Sequence, residues 1–164
     1  MYRLTLILGL QIFLLGTVNA QFLNVSADVG IEHISVSPIL LGGGAVFIDY
    51  NDDGWQDIVV TGGTTKDRVF KNLNGERFEE DLKALPFYRT NLTLTSAIQG
   101  LDFNNDGCRD LLISNFSKTE SNILLQNDCN GQYINVSESA GITHRAASIG
   151  AAIRDINNDG FQDI

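Results

Sequence analysis

The 164-residue sequence predicts an all-β chain built from repeated hairpins, and three observations carry that prediction. The stretch Asp49-Tyr50-Asn51-Asp52-Asp53-Gly54-Trp55-Gln56-Asp57-Ile58 returns as Asp102 to Leu111 and again as Asp155 to Ile164, in two equal steps of 53 residues. The first two copies run on into short β-prone apolar segments, Ile58-Val59-Val60-Thr61 and Leu111-Leu112-Ile113-Ser114. Asn74-Gly75 and Asn130-Gly131 then supply type I′ hairpin signals. A fixed period of this size marks repeated supersecondary units rather than one ordinary core.

Taken in order, residues 1–20 carry Arg3, an apolar run from Leu4 to Val18 and the small-residue end Val18-Asn19-Ala20. This is the layout of a secretory signal peptide cleaved before Gln21. The run is short for a membrane span, which needs about 20 apolar residues; an uncleaved anchor is the alternative. No cysteine lies near the cleavage point to take a lipid. The expected location is therefore secreted, extracellular or periplasmic, with no membrane span after cleavage.

Residues 21–43 read as an N-terminal strand and linker. Phe22-Leu23-Asn24-Val25-Ser26 alternates as a strand and leads into Gly30-Ile31-Glu32-His33, a pattern repeated at Tyr133 to Ser137 and Gly141-Ile142-Thr143-His144, with a weaker copy at Phe78 to Leu85. Residues 44–96 form the first full unit, with strands at 44–49, 57–61, 68–72 and 77–81. Residues 97–149 form the second, with strands at 97–102, 110–114, 122–127 and 132–137. Residues 150–164 begin a third unit, cut off where its second strand should start. Four antiparallel strands in roughly 50 residues make one propeller blade. The predicted fold is thus a partial β-propeller: about two complete four-stranded antiparallel blades plus the start of a third. Phe22–Ser26 matches the fourth strand of a blade whose first three strands do not precede it. It is expected to complete a last blade lying beyond residue 164, closing the ring and removing a free edge.

The recurring loop has its own chemistry. Oxygen-bearing side chains stand at positions 1, 3, 5 and 9: Asp49, Asn51, Asp53 and Asp57; Asp102, Asn104, Asp106 and Asp110; Asp155, Asn157, Asp159 and Asp163. Three carboxylates within nine residues repel one another unless a hard cation lies between them, and Ca²⁺ accepts 6–8 oxygens at about 2.3–2.6 Å. Position 6 is always glycine (Gly54, Gly107, Gly160), where the chain must turn with positive φ to wrap an ion. Position 7 varies as Trp55, Cys108 and Phe161, which suits a ligand supplied by the backbone carbonyl. Apolar residues at position 2 (Tyr50, Phe103, Ile156) and position 10 (Ile58, Leu111, Ile164) are expected to anchor each loop by burial. The expected cofactor is Ca²⁺, one per loop and up to three. An EF-hand would require glutamate at position 12 and flanking helices, but position 12 is Val60 and Ile113. A metal-free acidic Asx-turn hairpin is the remaining alternative.

The pattern from Gly44 to Ile58 and from Gly150 to Ile164, with Ala97 in place of the leading glycine in the middle copy, resembles the FG-GAP/VCBS repeat. That repeat builds β-propellers such as the integrin α-subunit head. Phe22 to Ile31 is similar to the segments that begin secreted proteins of the cartilage-acidic-protein and UnbV-like group. The resemblance implies a calcium-binding extracellular module for adhesion, with a protein or glycan ligand and a structural metal.

Cys108 and Cys129 are the only cysteines, and in a secreted chain an even pair invites a disulfide. It would close a loop of about 20 residues for roughly 3 kcal/mol; two unpaired loop thiols are the alternative. His33 and His144 stand at equivalent places, so repetition favours a structural role, such as bonding a loop between blades, over catalysis. Leu41-Gly42-Gly43-Gly44 lacks the lysine and helix of a phosphate loop and reads as a bend entering the first strand. Asn24, Asn91, Asn115 and Asn135 head N-glycosylation sequons. Removing the signal takes Arg3 with it and leaves a net charge near −10, nine of the acids being candidate ligands. That balance excludes a nucleic-acid partner, which would need a basic patch. No nucleophile–base pair stands apart from the repeats, so a binding module is the leading expectation. The alternative is a calcium-dependent lyase or hydrolase on the same scaffold, with its site outside these residues.

Overall fold

In a computed structural model of the chain, residues 22–37, 43–86 and 93–164 are described. The signal segment and Asn91 lie outside them. Eight strands follow in order: β1 Ala45–Ile48, β2 Asp57–Val60, β3 Arg68–Leu73, β4 Arg77–Glu80, β5 Thr95–Leu101, β6 Asp110–Asn115, β7 Ile123–Asn127 and β8 Tyr133–Asn135. No helix occurs among the described residues. The strands form two antiparallel four-stranded sheets, β1-β2-β3-β4 and β5-β6-β7-β8, each a simple meander.

Register follows from side-chain alternation. In the first sheet Val46 faces Val59 and Ile58 faces Phe70; in the second Ile113 faces both Ile98 and Ile123. Residues of opposite parity on β6 and β7 point to opposite faces, and each face finds its own core. Leu111, Ile113, Ile123 and Leu125 join Ile48, Val59 and Val69 in one cluster between the two sheets. Leu112 and Leu124 join Leu101 in a second cluster, covered by Val136, Ile142, Ala151 and Ile153. Strand β6 is consequently buried along its whole length.

The sheets meet closely through β1 and β5. A Cβ on Gly44 would lie 2.7 Å from the Ala97 Cα, so that position admits no side chain without a shift. Other ties run along the chain. The Phe78 N–H donates to the Val29 carbonyl at 2.7 Å, and the Tyr133 N–H donates to the Ala84 carbonyl at 2.9 Å. In both cases the turn after one unit's outer segment meets the fourth strand of the next. Thr95 Oγ1 donates to buried Asp67 at 2.7 Å, and the Thr95 N–H donates to the Gly63 carbonyl at 3.1 Å.

Three expectations are corrected. Phe22–Ser26 is not a strand: residues 22–25 are irregular and a turn follows over 26–30. No described strand lies beside it to share a ladder, and Phe22 is fully exposed. The third unit forms no strand among the described residues, and its hairpin is marked by a single antiparallel bridge between Arg154 and Asp163. At the β7–β8 turn the left-handed residues are Cys129 and Gly131, not Asn130, so Asn130-Gly131 makes no type I′ turn. Asp128 reshapes it, accepting the N–H groups of Asn130 and Gln132 at 2.8 and 2.9 Å. The β3–β4 turn does place both Asn74 and Gly75 at positive φ.

Candidate metal centres

The three loops share one backbone scaffold. At position 5 the N–H of Asp53 donates to both Asp49 Oδ1 and Asn51 Oδ1 at 3.1 Å, and the Gly54 N–H donates to Asp49 Oδ2 at 2.9 Å. The Asp106 N–H reaches Asp102 and Asn104 at 3.1 and 3.2 Å, and the Asp159 N–H reaches Asp155 and Asn157 at 3.3 and 2.9 Å. The position-7 N–H of Trp55, Cys108 and Phe161 donates in turn to Asp53, Asp106 and Asp159. The side chains at positions 1, 3 and 5 are thereby folded inward over the loop. Positive φ at Gly54, Gly107 and Gly160, from 87° to 90°, makes this possible. Position 4 (Asp52, Asn105, Asn158) is left-handed as well, which explains why only Asp or Asn stands there.

Position 9 does different work. Asp57 is fully buried, accepting the Tyr50 N–H at 3.3 Å on one oxygen and the Asn72 N–H at 2.7 Å on the other. Asp110 repeats this with Phe103 and Asn127, at 3.0 and 2.8 Å. Asp163 accepts the Ile156 N–H at 3.0 Å. Burial pushes the Asp57 carboxyl up to about 6; the two N–H bonds oppose the shift, and the charges of Asp53 and Asp49 add to it. Asp110 is raised for the same reasons, with Asp106 and Asp102 as its neighbours.

Asn72 and Asn127 were not picked out as site residues from sequence, yet they lock position 9 in place. Besides their N–H bonds, Asn72 Nδ2 donates to the Gln56 carbonyl at 2.9 Å, and Asn127 Nδ2 lies 2.6 Å from the Tyr50 carbonyl and 3.2 Å from that of Arg109. Asn127 thus ties the second sheet to the first loop. The available signal was their recurrence at matching places before the hairpins.

Anchoring by burial holds for Tyr50 and Leu111, but Ile156 and Ile164 are exposed. Tyr50 is covered from the second sheet: its ring stacks on Tyr133 with centroids 6.5 Å apart, and Gly131 packs against it. Ile156 has no such neighbour among the described residues. The second and third loops touch directly, Gln162 accepting the Asp102 N–H at 2.8 Å and Asn105 Nδ2 donating to the Gly160 carbonyl at 2.7 Å.

Among the described residues the three-member donor cluster within 4.8 Å is Asp106, Cys108 and Cys129. Its two sulfurs form a disulfide, with Cα atoms 5.4 Å apart, so it offers no thiolate. The carboxylates of a single loop stand wider than this. Oxygens on opposite sides of a calcium ion are themselves roughly 5 Å apart, twice the bond length. The donor set is all hard oxygen, and it fits Ca²⁺.

Elsewhere, His33 Nε2 donates to the Thr61 carbonyl at 2.9 Å, pinning the N-terminal segment to the end of β2. His144 is exposed. Asn115 is buried, with its side chain bonded to Leu94 and Ser121, whereas Asn24 and Asn135 are exposed.

The segment from the first residue of the second loop to the last of the third, residues 102–164, matches the family model described as an FG-GAP-like repeat. The chain carries an FG-GAP-like repeat. No curated protein and no solved structure matches it. The repeat therefore spans one loop to the next, and the first loop carries the same residues at positions 1, 3, 5, 6 and 9 and the same backbone N–H bonds to position 1 as the two inside the match. No helix among the described residues is long and apolar enough to cross a membrane.

Proposed function

We propose that the chain is part of a secreted, calcium-stabilised β-propeller module that binds an extracellular protein or glycan, with each four-stranded sheet serving as one blade. The observation that carries this reading is the threefold recurrence of one acidic loop on one backbone scaffold, within a chain that carries the FG-GAP-like repeat. Residues at positions 1, 3, 5 and 9, with the carbonyls of Trp55, Cys108 and Phe161, would hold the ion. Bound Ca²⁺ would neutralise carboxylates that otherwise repel one another, so its contribution is to rigidity rather than to a reaction. The disulfide and the acidic balance are compatible with an extracellular setting.

The test is thermal unfolding of the full chain with calcium and with EDTA. Binding to the native state alone stabilises by about 2.7 kcal/mol at a hundredfold excess over Kd, and a shift of several degrees is expected. Identical melting curves would overturn the calcium role. Capture of extracellular proteins or glycans on a calcium-loaded surface, lost on chelation, tests the binding role.

A further inference from the structure

We propose that the first loop is a deliberately weakened calcium site, with Lys71 acting as a built-in competitor for the ion. This inference rests on the calcium reading above and concerns how that site is regulated.

The three loops differ at one oxygen. In the second, Asn104 Nδ2 donates to Asp106 Oδ2 at 2.7 Å; in the third, Asn157 Nδ2 donates to Asp159 Oδ2 at 2.9 Å. In the first, the equivalent oxygen, Asp53 Oδ2, is held by the Lys71 ammonium at 3.2 Å. The Asn51 amide nitrogen, which makes this bond in the other loops, makes no well-formed hydrogen bond here, though it still acts on the Asp53 carboxylate beside Lys71. Lys71 comes from the middle of β3, and its counterpart one residue before Asn127 is the neutral Gln126 on β7.

A cation already sits beside the position-5 carboxylate of loop 1, where loop 2 has the neutral Gln126 on the matching strand. For calcium to take Asp53, the ammonium must leave the carboxylate or face a divalent charge at close range, and either course weakens binding. Because the pair is partly exposed, salt screens it and its effect is moderate. Loop 1 would then fill after loop 2 as calcium rises, with ionic strength setting the gap.

The sole tryptophan, Trp55, is position 7 of this loop. Terbium luminescence excited through the indole is therefore strongest for loop 1, and calcium displacing terbium reads calcium there. In the full chain, Lys71→Gln is expected to tighten the loop 1 midpoint about three- to tenfold, an order set by one nearby charge at a partly exposed site. Lys71→Met should match it. Exposed Lys118→Gln should leave the midpoint unchanged, and added salt should narrow the difference between Lys71→Gln and the parent. Clear emission with identical midpoints in parent, Lys71→Gln and Lys71→Met would overturn the role of Lys71 while leaving the calcium reading intact. No indole-sensitised emission in any variant, together with no calcium effect on melting, would overturn both.

Discussion

In the first sheet the side chain at loop position 7, Trp55, lies over Gly75 of the β3–β4 turn, so closely that a Cβ there would stand 2.7 Å from the ring. In the second sheet the same position is Cys108, joined covalently to Cys129 in the β7–β8 turn. A loop and the hairpin beside it are thus tied together twice, once by packing and once by a bond. The loop backbone does not depend on which tie is used, since the backbone N–H bonds accepted by the side chains at positions 1, 3 and 5 are the same in both and recur in the third loop. The local carboxylates set the shape of the loop, while position 7 sets how firmly that shape is fastened to its sheet.

The comparison breaks most sharply at the core. Ile113 is fully buried at the centre of β6, in a strand covered on both faces, whereas Val60 on β2 sits at the margin of burial. Ile113→Ala should cost about 3–4 kcal/mol in urea unfolding and Val60→Ala about half as much. Equal losses would mean the two sheets share the core evenly. Next in size, paired Cys108→Ser and Cys129→Ser substitution should cost about 3 kcal/mol through lost chain constraint. Trp55→Ala should cost less, because the indole is partly exposed. Smallest is the contrast between the two asparagines. Asn127→Ala should cost about 2 kcal/mol and Asn72→Ala about 1 kcal/mol, since only Asn127 also reaches the Tyr50 carbonyl across the sheets. Chemical denaturation of both variants checks this, and a larger loss for Asn72 would reverse the proposed order.

Most of the strand layout could be read from residues. The apolar runs after each loop became β2 and β6, and all eight strands fall close to their expected places. Strand β5 starts two residues early, at Thr95, because a register shift between Thr95 and Ala97 admits Thr95 to the ladder. The inward fold of positions 1, 3 and 5 was also legible, since short-range Asp-to-amide bonds depend on local spacing. What stayed hidden depended on distance along the chain. Asn72 meets Asp57 across 15 residues, and Asn127 meets Tyr50 across 77. Lys71 meets Asp53 across 18 residues, a pairing that only the folding of β3 against the loop creates. Phe22–Ser26 alternates as a strand should, but alternation supplies only a face, and a ladder also needs a neighbour with open backbone groups.

The carbonyls of Val29 and Ala84 each receive an amide from a strand that comes later in the chain, Phe78 and Tyr133. A ribosome delivers the acceptor before the donor, so every finished turn waits as a landing place for the strand that follows. Removing one unit would leave the next strand's inward amide, at Tyr133 in an interior position, with nothing to bond. Growth of such an array is therefore directional, and its repeats are not interchangeable beads.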